Sequence, residues 1–568
     1  MTMNRNTKPF KPERLFVVFA FFVCCSLAVS SRLLRFQVFE HEKLSELADR
    51  IGKSTRPVTP PRGIIYDSRM MPLAMNGKVQ TVVAEPGRIA DKSAVAAELA
   101  SILDLDLQTL IGRMNDPAHE KYLVVKRKID PALARYIQSL KLDGIYMEDE
   151  SLRVYPHRNL ASQTLGFVNM AGQGVAGLEL QYEDELNGEE GSALYETDAL
   201  GRSYSERLIE PPKPAYSIVL SIDSSIQELV QKKLSAGVKN HNASSGVAIV
   251  MESETGRILA LANYPDFNCN RYSEYPEQMW RNRAVQDQYE PGSTLKVVTA
   301  SAALDENLVG AGEVIDCQMG LMKLEGHWFH DHKPYGLLTL QEIIEYSSNI
   351  GSIKLGQRLG KDRLYRWLCS FGFGSRTGVD LPAEARGYLR KPEDWSAISI
   401  ASIAFGQEIS VNSLQILAAV NSVANGGYKV RPSVVDRIIS LEGKSVYEQV
   451  PERVRVMRPE TAAAMSTALE GVVLNGTGKS AALDGYRLAG KTGTAQKVVD
   501  GKFSKTMYVA SFVGFAPLPH PLVTVLVLID EPKDSIYGGE VAAPVFREIV
   551  RELLPSPNVP AAEENDIS

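Results

Sequence analysis

A charge-free run at the N-terminus decides where the rest of this chain can fold. Arg5, Lys8, Lys11 and Arg14 precede it, it extends from Leu15 to Ser31, and Arg32 and Arg35 close it. Its 17 residues lie at the short end of what crosses a hydrocarbon layer as a helix. The triplet Ala28-Val29-Ser30 would also suit a signal peptidase, so a cleaved leader is the alternative to an anchor. The anchor is the reading taken here. The basic cluster keeps the N-terminal end in the cytoplasm, and by either reading the chain beyond about residue 35 is exported.

With 568 residues the chain should hold two or three domains. The net charge of −6 and the lack of a basic stripe with interleaved aromatics give no reason to expect nucleic acid. Two of the five cysteines, Cys24 and Cys25, lie in the apolar run. Cys269, Cys317 and Cys369 are scattered, with no C-x-x-C and no histidine at ligand spacing, so neither a disulfide framework nor a metal centre is expected. They are read as buried, inert thiols.

Residues 36–55 read as a helix leaving the membrane, ended by the Pro-rich Arg56–Pro61. Residues 62–210 mix short strands and helical pieces without a catalytic cluster, and Glu210-Pro211-Pro212-Lys213-Pro214 is the best linker. Gly246–Glu252 and Arg257–Ala262, joined by Ser253-Glu254-Thr255-Gly256, read as a hairpin. Tyr508–Phe515 and Leu522–Asp530 read as two further strands, the second apolar enough to be buried on both faces. Ala543–Leu554 reads as a closing helix with Pro544 in its first turn and Phe546, Ile549, Val550 and Leu553 on one face. A long, mostly helical insert, about 290–480, separates these blocks, so an antiparallel sheet is built from both ends of one domain and a site should form where the helical lobe meets it. Residues 555–568 read as a loose tail.

Three short motifs carry the chemistry. Ser293-Thr294-Leu295-Lys296 follows a Pro291-Gly292 turn and opens a helix. Residues three apart share a helical face, so the Lys296 amine can approach the Ser293 hydroxyl. Serine needs an adjacent base to become a nucleophile, and lysine is one only when burial or a second cation makes it neutral. Ser347-Ser348-Asn349 follows a helix started by the capping box Thr339–Glu342, which carries Ile343 and Ile344 into the core and should break near Asn349-Ile350-Gly351. Ser347 could relay a proton and Asn349 could hold an amide. Lys491-Thr492-Gly493-Thr494 falls where a sheet-edge strand would lie; its glycine admits a ligand backbone, and its cation and hydroxyls suit a carboxylate. Each motif alone could be a helix start, a polar helix end or a turn. Together and in this order they match the S-x-x-K, S-D-N and K-T-G set of class A β-lactamases and penicillin-binding proteins, with the second motif here S-S-N.

On these residues the chain resembles a class B penicillin-binding protein over nearly its whole length. Arg62-Gly63-Ile64-Ile65-Tyr66-Asp67, Gly177-Leu178-Glu179 through Leu186-Asn187-Gly188, Asp198–Arg202, Leu220–Asp223, Phe405-Gly406-Gln407 and Phe512–Pro517 all look familiar. Asp67–Ala74 lacks the family's glycine, and Arg153–Arg158 departs at its last position. The resemblance implies an α/β (α+β) transpeptidase fold of the serine β-lactamase type: an antiparallel sheet with a helical lobe, preceded by an elongated non-catalytic pedestal and one transmembrane helix. The expected divisions are a cytoplasmic tail 1–14, an anchor 15–35, a pedestal (dimerisation-type) domain 36–212, a transpeptidase domain 213–555 and a tail 556–568.

The resemblance also implies roles. Ser293 would attack the penultimate D-Ala carbonyl of a stem peptide, with Lys296 as base and Ser347 as relay. Asn349 would bind the substrate amide, Lys491 would tune the field, and Thr492, Gly493 and Thr494 would hold the terminal carboxylate or a β-lactam. The Ser293 and Thr494 N–H groups would form the oxyanion hole. No metal or cofactor is implied. The implied setting is the inner membrane with a periplasmic catalytic domain, glycan strands bearing D-Ala-D-Ala stems as substrate, and an FtsW-like glycosyltransferase and other division proteins as partners. The septal, FtsI-type branch is favoured over an elongation-type enzyme; a catalytically silent β-lactam sensor, a β-lactamase or a carboxypeptidase are the rivals. Glu183-Asp184-Glu185-Leu186-Asn187 mimics a β-lactamase deacylation motif but precedes Ser293, and is read as a decoy.

Overall fold

The structure, a computed structural model, describes residues 12–45, 53–197, 203–310, 312–499 and 502–554. Arg5, Lys8 and Lys11, the Asp198–Arg202 motif and the expected tail lie outside them. The chain divides into two units. One takes residues up to Pro60 with Gly188–Pro214; the other takes Pro61–Asn187 and everything from Ala215.

In the first unit, the helix Pro12–Leu34 continues as a wider turn, Arg35–Phe39. Leu15–Phe39 spans 25 residues at mean hydropathy 2.1, long and apolar enough to cross a membrane. The helix expected over 36–55 does not persist: Lys53–Val58 is a strand, paired antiparallel with Gly191–Thr197, whose other neighbour is Ser203–Glu210. Thr55, Pro57 and Val58 explain the switch, because β-branched residues favour extended backbone and proline imposes it on the residue before.

Among the described residues, the second unit holds two large sheets and three two-stranded ones. In one large sheet, Ser217–Leu220 runs parallel to Ile65–Tyr66 and antiparallel to Val435–Ile439, and Pro72–Ala84 joins it to Leu123–Ile129 and Ile145–Val154. The expected boundary at 212/213 therefore does not separate two bodies; the strand just after the proline linker completes a sheet begun before it. Buried beside it, Glu179 accepts from Arg62 Nε and Arg153 Nε, both at 2.7 Å, and from the Tyr155 hydroxyl at 3.2 Å. Arg153 also donates to the Gly63 carbonyl at 2.7 Å. A Cβ on Gly63 would fall 1.7 Å from the Tyr216 carbonyl oxygen, which is why that position is glycine.

The other large sheet carries the K-T-G-T motif and is made of β1 (Ser245–Glu252), β2 (Ile258–Tyr264), β3 (Ala489–Val499), β4 (Lys502–Ala516) and β5 (Val523–Asp530), in the antiparallel order β2-β1-β5-β4-β3. The hairpin and both late strands form where expected. Alternate residues feed opposite cores. Val250, Phe512 and Val527 meet α1 (Ser224–Asn240) and the closing helix, Ala543–Leu553, whose Phe546, Ile549 and Val550 are fully buried and whose proline sits in its first turn. Ile249, Val513 and Leu526 join the core of the helical lobe. β5 is buried on both faces up to its last residue, as its apolar sequence requires.

Candidate active site

The three motifs meet where the lobe abuts the edge strand β3. Pro291-Gly292 is held from two sides. Gly292 takes φ +54°, its N–H donates to the Gly406 carbonyl at 3.0 Å, and a Cβ added to it would sit 3.1 Å from the Thr494 carbonyl oxygen. Ser293 then lies in a single tight turn, Gly292–Leu295, and the α-helix proper, α2 (Lys296–Asp305), starts at the lysine. A 3₁₀ turn eclipses residues three apart, so Ser293 and Lys296 stand on one line.

The capping box at Thr339 and Glu342 opens α3 (Leu340–Glu345) and buries Ile343 and Ile344 completely. The break comes earlier than the expected Asn349–Gly351. Ser347 is left-handed at φ 61°, and Ser348 caps α4 (Asn349–Leu359) by accepting from the Gly351 N–H at 2.9 Å. Serine is among the strongest N-caps, so Asn349 begins the second helix rather than ending the first.

Lys296 joins the two segments. Its ammonium donates to the Ser347 carbonyl at 2.6 Å, the Ser347 hydroxyl at 3.2 Å and Asn349 Oδ1 at 2.7 Å. Burial drives its pKa down to about 7, and the negative charge of Asp331 opposes that only in part. Lys491, also fully buried, is pushed well below the ordinary lysine value by burial and then by the charge of Lys296. A neutral Lys296 keeps two N–H groups for the Ser347 carbonyl and Asn349 Oδ1, which can only accept, and turns its lone pair to a hydroxyl.

K-T-G-T occupies the sheet edge as expected, with Lys491 opposite Val513 and Gly493 opposite Ser511. A Cβ on Gly493 would fall 2.3 Å from Ser511 Oγ and 3.0 Å from Thr294 Cγ2, so glycine lets the strand run against the first motif. The Thr492 hydroxyl lies 2.8 Å from that of Thr477, and Thr494 Oγ1 accepts from the Gly538 N–H at 3.2 Å.

Asp331 is the residue that sequence reasoning missed. It accepts from the Ser348 hydroxyl at 2.7 Å, from the Ile350 N–H at 3.0 Å and from the Asn349 N–H, thereby holding the start of α4. Next to it, the His330 carbonyl accepts from Asn349 Nδ2 at 2.8 Å, so both ends of that carboxamide are already engaged. The dense polar string His327–Tyr335 was the available signal, but nothing local ties it to a motif some sixteen residues on. Among the described residues, no group of three or more His, Cys, Asp or Glu could hold a metal ion. Cys269 and Cys317 are buried, but Cys369 is exposed, against expectation, because it falls on the outer face of the helix Lys361–Phe371. Glu183 is engaged elsewhere, accepting from Arg62 at 2.7 Å and the Gly174 N–H at 2.8 Å.

Residues 246–551 match the model of the penicillin-binding protein transpeptidase domain, and residues 57–220 that of the penicillin-binding protein dimerisation domain. The chain is 36% identical to stage V sporulation protein D of Bacillus subtilis over 560 residues, covering 96% of this chain and 85% of the relative. It is 31% identical to the peptidoglycan D,D-transpeptidase FtsI of Escherichia coli K12 over 576 residues, covering 98% and 96%. Among solved structures it resembles penicillin-binding protein 3 of Mycobacterium tuberculosis in complex with aztreonam, with a TM-score of 0.69 at 26% identity, covering 88% of this chain and 98% of that one. The motifs, the sheet that carries them and both matched domains thus agree, and the chain belongs to the class B penicillin-binding proteins.

Proposed function

We propose that this protein is a peptidoglycan D,D-transpeptidase working through an acyl-enzyme on Ser293. The observation that carries the reading is a fully buried lysine with its pKa near neutrality, one 3₁₀ turn from a serine and hydrogen-bonded to a second serine. Neutral Lys296 takes the Ser293 proton as Oγ attacks the penultimate D-Ala carbonyl. The developing oxyanion is met by the N–H groups of Ser293 and Thr494. The proton passes through Ser347 to the departing D-Ala amine. The terminal carboxylate sits at Thr492 and Thr494, with Lys491 and Gly493 shaping the slot. The amine of a neighbouring stem then attacks the ester and gives up its proton to Lys296, which returns it to Ser293 Oγ as the ester bond breaks and is left neutral for the next cycle. Asn349, fixed by His330 and Lys296, positions the amine and orients the amide beside it.

The protein is anchored in the cytoplasmic membrane by Leu15–Phe39, N-terminus inside, with catalysis outside. It acts in septal wall synthesis beside an FtsW-like glycosyltransferase and other division proteins; the near full-length likeness to FtsI supports this. A stage-specific role is the second reading, favoured by the relative named for sporulation. Filamentation on depletion during growth supports the first reading; normal growth with a defect only in differentiation supports the second. Labelled penicillin should attach to Ser293, and Ser293→Ala should abolish both labelling and cross-linking of glycan strands with the fold unchanged. Labelling that survives the substitution overturns the assignment.

A further inference from the structure

A hydroxyl has a single proton to give, so where it points depends on what donates to its oxygen. The threonines of K-T-G-T meet this constraint twice. Thr494 Oγ1 accepts from the Gly538 N–H at 3.2 Å. A backbone N–H can only donate, so the Thr494 proton is left for another acceptor. Thr492 Oγ1 has no such N–H; it has the Thr477 hydroxyl at 2.8 Å and Lys491 Nζ at 3.4 Å. With Thr477 as the donor, the Thr492 proton is freed in the same way as that of Thr494.

Thr477 belongs to none of the three motifs. It follows the helix Pro459–Leu474 in the turn Asn475-Gly476-Thr477-Gly478, and glycines press that turn into place. A Cβ on Gly476 would fall 2.2 Å from the Glu345 carbonyl oxygen, and one on Gly478 would fall 3.0 Å from Phe512 Cε2 of β4. From the other side, a Cβ on Gly539 would fall 2.2 Å from the Thr477 carbonyl oxygen and 3.4 Å from Thr492 Cγ2. The Thr477 N–H donates to the Glu345 carbonyl at 3.3 Å, at the end of α3 and two residues before Ser347. The turn is thus clamped between the helix that leads to the relay serine and the segment after β5. Thr477 itself stays exposed, while the Thr492 it touches is buried.

We propose that Thr477 is a positioning residue for the donor stem: its hydroxyl donates to Thr492 Oγ1 and thereby aims the Thr492 proton at the terminal carboxylate, favouring substrates that end in a free carboxylate. This rests on the D,D-transpeptidase reading above. A carboxylate can only accept, so its arrival sets the direction of the chain, from Thr477 to Thr492 to substrate, and bonds linked head to tail strengthen one another. Thr477→Val keeps the shape of the side chain but puts a methyl against Thr492 Oγ1. A methyl needs about 3.5 Å, so the Thr492 hydroxyl is both displaced and left without its incoming donor.

The test uses the full-length protein in detergent and two thioesters of N-benzoyl-D-alanine, one with thioglycolate, which ends in a carboxylate, the other with its methyl ester. Ser293 Oγ attacks the thioester carbon, the C–S bond breaks, and the thiol leaves with the proton. First-turnover thiol release is counted per molecule that excess penicillin can label, so misfolded protein drops out. Thr477→Val should slow the acid about tenfold, the difference between a charge-assisted hydrogen bond and a neutral one, and the ester less than about twofold. Thr477→Ser, which restores the hydroxyl, should return the acid to within about threefold of the unaltered protein. In a Thr492→Ala background the further change to Thr477→Val should cost the acid less than about twofold, because the hydroxyl it acts through is gone. Equal losses on both thioesters would make Thr477 merely structural and overturn the proposal. A serine variant no faster than the valine one would overturn it too, as would an undiminished valine effect without the Thr492 hydroxyl. Should Thr477→Val not fold, Thr477→Ala carries the same expectations. An unaltered protein that neither penicillin nor either thioester acylates would instead overturn the transpeptidase reading itself.

Discussion

Two clusters of buried charge in this molecule are built on opposite principles. Beside the first sheet, Arg62 and Arg153 flank Glu179, whose side chain is 0% exposed. Burial disfavours the Arg62 charge, but the fields and hydrogen bonds of Glu179 and Glu183 outweigh it, and its pKa ends raised. In the catalytic cleft, Lys296 and Lys491 are just as buried, yet carbonyl, hydroxyl and amide oxygens surround Lys296 in place of a paired carboxylate. There burial wins, and both lysines are pushed toward the neutral amine. The same desolvation therefore yields an ionised guanidinium where a carboxylate is supplied and an amine that can be neutral where it is withheld. Guanidinium suits the first and amine the second, because arginine cannot lose its proton and lysine can.

Exchanging the two kinds of cation gives the largest expected effect. Lys296→Arg keeps a buried positive charge but removes the group that can be neutral. Acylation by penicillin should fall about 10⁴-fold or more, as far as in Lys296→Ala, since base and nucleophile act as a unit. Stopped-flow acylation or a timed labelling series reads this directly. An arginine variant acylating at near the normal rate would remove Lys296 as proton acceptor and dissolve the contrast. In the unaltered protein the sign is equally specific. The base works unprotonated, so acylation should be slow below pH about 7 and rise to a plateau above it.

Glu179→Ala tests the other cluster. It strands two guanidinium groups in the interior, and breaking a buried pair in this way costs about 3–5 kcal/mol. Urea unfolding of the purified protein should show that loss, while the acylation rate per folded molecule stays within about twofold, because Glu179 belongs to no catalytic contact. A large fall in acylation with unchanged stability would mean that this cluster serves the active site instead.

What could be read from the sequence follows the range of the interactions involved. Ser293, Lys296 and the capping box at Thr339 are linked to their partners by three residues, and a helix or 3₁₀ turn fixes such spacings. The catalytic strands announced themselves by apolar runs. Nothing within a few residues of Ser348 decides between a break there and the expected one at Asn349–Gly351, and the structure starts the second helix at the serine cap. The strand at Lys53–Val58 was missed because its pairing partner, Gly191–Thr197, is far along the chain. The same distance hid the sheet that crosses the 212/213 boundary, the Arg62–Glu179–Arg153 cluster and the placement of Asp331, each of which depends on how remote segments pack.

Asp331 gives the smallest expected effect and the finest test of the comparison. It is the nearest approach of the catalytic cleft to the carboxylate-paired design: a carboxylate whose field raises the Lys296 pKa, set back from the amine and occupied with the start of α4. Asp331→Asn keeps the shape and can still accept from backbone N–H groups through its oxygen, but removes the charge. Two consequences follow. The hold on Ser348 and Asn349 weakens, and exchanging a charge-assisted hydrogen bond for a neutral one should lower plateau acylation about tenfold. The field that favours the ammonium also disappears, so the Lys296 pKa falls further and the acidic limb of the pH–rate profile should move to lower pH. A merely structural role for Asp331 would lower the plateau without moving the limb. A limb that moved to higher pH would show that Asp331 had been suppressing the ammonium, reversing the assigned sign and with it the claim that withholding a carboxylate is what makes Lys296 a base.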